Sequence, residues 1–203
     1  MLERVLKATL LDGRAYEGVA DEPQPIIGSM TVVGVVAIAF GLGVSGEPLG
    51  GEEVEPALIV SLAVSTTLVS WGLWSATVWF IGSRLLGGSA TYRTLLRALG
   101  IAFGPGVLLA LSGVPSVGLG IALSARFWML ATATVAVREA QSTGWGRAFS
   151  AAIVGWWLSQ FMLHFLLLPI GVAPLADNGP AAAEQSLDIG GNGLFDLLHG
   201  LVL

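Results

Sequence analysis

The chain has 203 residues, of which 54% are hydrophobic and 11% are charged, and its formal net charge is −5 at pH 7. Because an average soluble protein has about 25% charged residues, this composition argues against a soluble domain and indicates a membrane protein. Its nine Lys and Arg residues are spread along the chain and form no clustered basic face, so we expect no nucleic-acid partner. The absence of cysteine excludes disulfides, thiolate nucleophiles and Cys-bound metals.

Residues 1–25 precede the first apolar run and are predicted to be a cytoplasmic, amphipathic lead-in. Leu2, Val5, Leu6 and Leu10 recur at helical spacing, with charged residues between them. This pattern is typical of a helix that lies in the membrane interface. The rest of the segment is rich in Gly, Pro and acidic residues, which predicts a loop or an ordered lead-in without a long helix.

Five apolar runs follow, and together they make residues 26–170 the predicted membrane domain. A helix needs about 20 apolar residues to cross the hydrocarbon layer. The runs cover residues 26–44, 57–81, 95–111, 118–137 and 148–170. The predicted fold class is therefore all-α, a polytopic membrane bundle with five transmembrane helices.

The charged residues between the runs predict the orientation of this bundle. Every Lys and Arg except Arg126 lies before or at the start of the first, third or fifth run, whereas acidic residues occupy the loop after the first run and the tail. Basic loops are retained in the cytoplasm. We therefore expect a cytoplasmic N-terminus, a C-terminus outside, and a multi-pass location in the cytoplasmic (inner) membrane of the cell.

Residues 171–203 are then an extracytoplasmic tail with a short apolar end. Residues 193–203 contain Leu194, Phe195 and Leu198, but eleven residues are too few to cross a bilayer. Two interpretations stay open for this segment. It is an interfacial helix on the outer leaflet, or it docks on the bundle or on a partner subunit.

A packing and bending motif occupies the third run. Gly100 and Gly104 form a G-x-x-x-G pair, a spacing that lets helix backbones approach closely. Pro105 removes a backbone donor, and Gly104 and Gly106 on either side make bending easy. A kinked packing helix is the favoured interpretation. The alternative is a broken helix that lines a substrate cavity, as in transporters.

Arg126 is the cation whose position the charge rule does not explain, because it lies within the fourth run. A charge at that depth is costly unless it reaches the interface or is paired. Gln160 and His164 lie four residues apart in the fifth run, so one candidate is a polar cluster of Arg126, Gln160 and His164 that binds an anion or a lipid headgroup. The favoured alternative is that Arg126 extends outward or pairs with an acid of the first outer loop.

Two further groups of side chains are given structural roles. The seven Trp residues are expected to be interface anchors that face lipid. The hydroxyl-bearing residues of the second run are expected to form hydrogen bonds between helices; they are Ser61, Ser65, Thr66, Ser70 and Ser75.

Catalytic and metal chemistry finds no support in the sequence. No carboxylate pair lies within the runs, and the two His residues, His164 and His199, are far apart. Neither H-E-x-x-H, nor G-x-S-x-G, nor a P-loop is present. We expect no enzymatic activity, no metal and no cofactor, and the sequence leaves open only a bound lipid.

Four segments, in order, resemble the Yip family of Ypt/Rab-interacting integral membrane proteins, and specifically its prokaryotic branch. They are LLDGRAYEGVADEP at residues 10–23, GSRLLGGSATY at 82–92, LLRALGIAFGP at 95–105 and VAVREA at 135–140. Many relatives have Asp-Pro where this chain has Asp12-Gly13. The resemblance implies a five-span bundle with a cytoplasmic N-terminus. Eukaryotic members are linked to Rab GTPases through a long cytoplasmic region that is short in this chain.

The predicted function is a non-catalytic membrane scaffold or an accessory subunit of a larger membrane protein complex. Its expected partners are the lipid bilayer and other membrane protein subunits. The alternative is a transporter or channel for a small solute or lipid, with Arg126, Gln160 and His164 as its polar centre.

Overall fold

A computed structural model describes residues 2–16, 26–45 and 55–176, with side chains as far as residue 162. Within these ranges the chain forms helices joined by short turns, with no strand. The α-helices are α1 (Leu2–Thr9), α2 (Ile27–Val44), α3 (Pro56–Trp79), α4 (Tyr92–Ala102), α5 (Gly118–Gln141) and α6 (Trp145–Ala176). A 3-10 helix, Gly13–Tyr16, follows α1; a π-helix, Phe80–Leu85, continues α3; a second 3-10 helix, Gly104–Leu111, follows α4.

Three helical segments are long and apolar enough to cross a membrane: α2, α3 with its π-helical extension, and α5. The α4 helix and the following 3-10 helix make a fourth when taken as one span, bent by 42°. The α6 helix is 32 residues long and corresponds to the fifth predicted run. The chain is thus an all-helical protein with three or four membrane-spanning helices in the part that the structure describes, while the fifth span and the orientation of the termini stay predictions.

Local chemistry explains where several helices begin and end. Pro56 opens α3, where its missing N–H removes no helical bond. The Thr91 side chain caps α4 by accepting a hydrogen bond from the Thr94 backbone N–H at 3.2 Å. The α5 helix stops where Ser142 adopts a left-handed conformation, with φ of 52°.

The α4 helix lies at the centre of the bundle and contacts α1, α2, α3 and α5. Eight of its eleven residues are buried, and the Leu95 and Leu99 side chains are fully so. Most other interior positions are alanine, valine or glycine. Since lipid tails are as apolar as these side chains, close van der Waals packing and hydrogen bonds between helices hold such a bundle together.

The N-terminal segment packs against α4 and α5. Ala8 and Ala15 are fully buried, and Tyr16 is 4% exposed. The Trp128 indole N–H donates to the Thr9 carbonyl at 2.8 Å, and the Tyr16 hydroxyl donates to the Thr132 carbonyl at 3.3 Å. Residues 2–16 therefore belong to the folded bundle.

The opposite face of α1 is exposed and carries Leu2, Leu6 and Leu10. Beside these leucines, Lys7 and Glu3 form an ion pair one helical turn apart, at 2.7 Å. The hydrogen bond from Lys7 lowers the pKa of Glu3 from its ordinary value. The exposed face thus carries apolar side chains beside a charged pair, and the interfacial position of α1 stays a prediction.

Burial raises the pKa of the Tyr16 phenol above its ordinary value of about 10. Below pH 10 Tyr16 therefore contributes its full share of stability, and this contribution is lost as the pH rises from 10 toward the folded-state pKa. The chain has two tyrosines, so Tyr92→Phe isolates Tyr16. We expect its phenolate absorbance to appear at higher pH in the folded protein than in denaturant, and coincident titrations would contradict the burial.

Candidate functional site

The break in the third predicted run lies between α4 and the 3-10 helix, at Phe103 and Gly104. In a regular α-helix the Gly106 N–H would donate to the Ala102 carbonyl. Here it donates to the Phe103 carbonyl at 2.8 Å. The Thr132 hydroxyl of α5 donates to the freed Ala102 carbonyl at 2.7 Å. A polar side chain of a neighbouring helix thus satisfies the broken backbone.

The glycines around this break contact neighbouring helices closely. A Cβ atom on Gly100 would lie 2.6 Å from the Ser29 Cβ of α2, and one on Gly104 would lie 2.8 Å from the Val5 Cγ1 of α1. At Gly106 a Cβ would lie 2.5 Å from the Val36 Cγ1 of α2. All three distances are too short for real Cβ atoms, so neighbouring helices occupy the space that side chains would fill.

Pro105 is buried among these contacts, and the Met129 sulfur of α5 also lies close to Gly106. Side chains of α1, α2 and α5 therefore pack directly against the bend. Gly100, Gly104 and Gly106 thus lie at contacts between helices, and their assignment together with Pro105 as a packing kink stays a prediction.

Hydrogen bonds from buried side chains to backbone carbonyls also join α3 to α4 and to α6. The Trp71 indole N–H donates to the Leu96 carbonyl at 3.1 Å, and that of Trp74 donates to the Ala152 carbonyl at 3.0 Å. Both indoles are 4% exposed. The prediction that every Trp faces lipid is therefore wrong for this pair, because their N–H groups have acceptors inside the bundle.

The hydroxyl groups of α3 also depart from expectation. Those of Ser61, Ser65, Thr66 and Ser75 donate to carbonyls three or four residues earlier in α3 itself. Such bonds satisfy the hydroxyl within its own helix. Ser70 does reach another helix, because its hydroxyl donates to the Gln160 side-chain oxygen at 3.3 Å.

A contact that sequence patterns did not indicate joins the ends of α3 and α5. Gln141, the last residue of α5, is 2% exposed, and its side-chain amide donates to the Val78 carbonyl at 3.3 Å. Its side chain lies directly against Gly82 in the π-helix and against Gly88 beyond it. From the sequence, a glutamine beside a polar turn is expected to lie at the surface. The one sequence feature that agrees with its burial is the pair of glycines, Gly82 and Gly88, whose missing side chains leave space for it.

The three residues of the predicted polar cluster occupy α5 and α6. Arg126 is half-buried on α5, between the buried Ala125 and the exposed Phe127. Gln160 is half-buried on α6 and is bonded to Ser70 of α3. His164 lies in α6, but its side chain is outside the described residues. The cluster stays a prediction.

The apolar end of the tail, with Leu194, Phe195 and Leu198, also lies outside the described residues. Among the residues that are described, no three His, Cys, Asp or Glu side chains are grouped so that they could hold a metal ion.

The long apolar helices, the close packing at glycines and the bonds between helices define an integral helical membrane protein. The model of the Yip1 domain family matches residues 9–168. Because this match spans most of the chain, the protein belongs to the Yip family. Neither a curated protein nor a solved structure matches it.

Proposed function

We propose that the protein is a non-catalytic scaffold or accessory subunit of a larger membrane protein complex, located in the cytoplasmic membrane with its N-terminus inside. Membership of the Yip family supports the integral membrane character of this assignment. The segregation of basic and acidic loops along the sequence supports the orientation.

The proposal rests on the hydrogen bonds that polar side chains make inside the bundle. The side chains of Trp71, Trp74, Thr77 and Thr132 each donate to a backbone carbonyl of a neighbouring helix. Their hydrogen-bonding capacity therefore goes into joining helices, whereas a solute pathway needs polar groups that face a shared cavity. A bundle whose interior polar side chains bond to neighbouring helices in this way suits a structural subunit.

The outer surface supports the same function. Large apolar side chains are exposed along the membrane helices, including Leu58 and Leu62 of α3, Leu119 of α5 and Trp157 of α6. Such surfaces accept either lipid or the helices of another subunit.

Extraction in a mild detergent followed by native mass measurement tests the proposal. We expect the chain to be recovered in one assembly of defined mass and fixed stoichiometry. A monomer or small homo-oligomer whose melting temperature rises on addition of a particular solute would overturn it in favour of a transporter. As a control, the same extraction in a harsh detergent is expected to release the chain from its partners.

A further inference from the structure

One end of the bundle carries an excess of arginine. Between residues 79 and 150 the chain has six arginines and a single acidic residue, Glu139. Arg126 lies within α5, and Arg97 is half-buried in α4. The other four lie at or beyond helix ends: Arg84 in the π-helix, Arg93 in the first turn of α4, Arg138 in the last turn of α5 and Arg147 in the first turn of α6.

The topology brings these helix ends together. Gln141 joins the end of α5 to the end of α3 through the Val78 carbonyl. The α6 helix begins four residues after α5 ends and packs against both α5 and the π-helix. The Ser83 hydroxyl of the π-helix donates to the Ala90 carbonyl, just before α4, at 3.0 Å. The four arginines therefore occupy the same end of the bundle.

Among residues 79–150, which the structure describes throughout, Glu139 is the one acidic side chain. Glu139 lies 3.0 Å from the Arg138 guanidinium, and this contact neutralises that pair. Arg84, Arg93 and Arg147 are exposed, and within the described ranges none of the three has an ion-pair partner. Three exposed cations that share one end of the bundle, and that form no ion pair with a described residue, attract an anion.

Two Trp–Arg contacts indicate where this anion lies. The Arg138 guanidinium is 4.4 Å from the centroid of the Trp145 ring, and the Arg84 guanidinium is 5.9 Å from that of Trp79. Both distances allow cation–π attraction. Trp residues prefer the headgroup level of a bilayer, so guanidinium groups held beside them lie at the level of lipid phosphates.

The surface next to these contacts is apolar. Trp145 is 56% exposed and Phe149, one turn further along α6, is 49% exposed. Further along α6, Trp157 is 55% exposed. A phospholipid can contact both the arginines and the apolar side chains of α6, because its phosphate binds the arginines while its acyl chains lie along α6. A free phosphate ion can contact the arginines alone.

We infer that the arginine-bearing end, defined by Arg84, Arg93 and Arg147 with the ion-paired Arg138 beside them, binds the headgroup of an anionic phospholipid. The charge excess provides the attraction, and the Trp–Arg contacts and the exposed face of α6 favour a lipid over a soluble anion. This surface is separate from the predicted cluster of Arg126, Gln160 and His164.

Native mass spectrometry of the purified full-length protein, with equal amounts of phosphatidylglycerol and phosphatidylcholine added, tests the inference. Since an arginine near an anionic surface contributes up to about fivefold in affinity, we expect the wild type to retain phosphatidylglycerol about tenfold or more over phosphatidylcholine. This preference should decrease as the salt concentration rises. These measurements need no variant and no partner complex, so they succeed or fail independently of the proposed subunit role.

Two matched triple variants locate the interaction. Replacing Arg84, Arg93 and Arg147 with Gln should abolish most of the preference, and replacing the same residues with Lys should preserve it because the charge remains. All three positions are exposed, so we expect both variants to keep the melting temperature of the wild type. Equal retention of the two lipids by the wild type, full preference in the Gln variant, or displacement of the lipid by millimolar inorganic phosphate would each overturn the inference.

Discussion

Gly43→Ala is expected to lower the stability of the bundle by about 3 kcal/mol, near the upper end of the usual cost of overpacking. Gly43 is buried near the end of α2. A Cβ atom there would overlap the Leu109 carbonyl oxygen and the Ser112 hydroxyl of the facing segment, and it would lie 3.2 Å from the Leu109 carbonyl carbon. Because backbone atoms obstruct the new methyl group, a rotamer change cannot relieve the overlap.

The matched control for this variant is Gly34→Ala in the same helix. A Cβ atom on Gly34 would meet nothing within 4 Å, and alanine favours a helix over glycine by about 1 kcal/mol. Thermal unfolding in one detergent should therefore show a melting temperature about 6–12 °C below wild type for Gly43→Ala, and no decrease for Gly34→Ala. Equal melting temperatures for the two variants would show that α2 does not pack against this segment as described.

The sequence predicts the membrane helices well because the signal is long and strong. A run of about 20 apolar residues has few structural alternatives, and α2, α3 and α5 each begin within one residue of the predicted start. The end of α3 is less predictable. The π-helix extends this helical segment to Leu85, four residues past the apolar run, because helices continue until a turn stops them and not until hydropathy falls.

Tertiary contacts are harder to predict than helices, and Trp71 and Trp74 show why. Trp is amphipathic, so its presence in a membrane helix is compatible with an interfacial, a lipid-facing or a buried position. Whether an indole is buried depends on an acceptor such as the Leu96 or Ala152 carbonyl being within reach, and that acceptor lies far away in sequence. Hydropathy carries no information about such partners.

The position of α1 illustrates the same limit at a larger scale. Helical periodicity identifies Leu2, Leu6 and Leu10 as an apolar face, and the structure leaves these residues exposed. The contact with the bundle is made instead by Val5 and by the small side chains of Ala8 and Thr9. Two small residues give almost no signal in a hydrophobic pattern, yet they allow the closest approach of one helix to another.

Gly104→Val is expected to release α1 from the bundle while leaving the other helices in place. A Cβ atom on Gly104 would lie 2.8 Å from the Val5 Cγ1 and 2.9 Å from the Thr9 hydroxyl. Valine adds two further methyl groups in this narrow space. The helix on the other side of the contact is only eight residues long, so it can move away at lower cost than the membrane helices.

The chain has no cysteine, so a single introduced thiol reports on this movement. Ala8 is fully buried against the bundle, whereas Leu10 is 75% exposed. In an Ala8→Cys background we expect slow labelling by a water-soluble maleimide, and labelling about tenfold or more faster once Gly104→Val is added, approaching the rate of Leu10→Cys. A shift of about 1.4 kcal/mol in the docking equilibrium is enough for that change.

Gly120→Val is the control, since a Cβ atom on Gly120 would meet nothing within 4 Å. This variant should leave the labelling of Ala8→Cys slow. Unchanged labelling in Gly104→Val, with the melting temperature also unchanged, would mean that α1 is not seated at the bend. Faster labelling together with a preserved melting temperature would establish that the glycine at the bend holds the N-terminal helix, because only a local release separates accessibility at position 8 from the stability of the whole bundle.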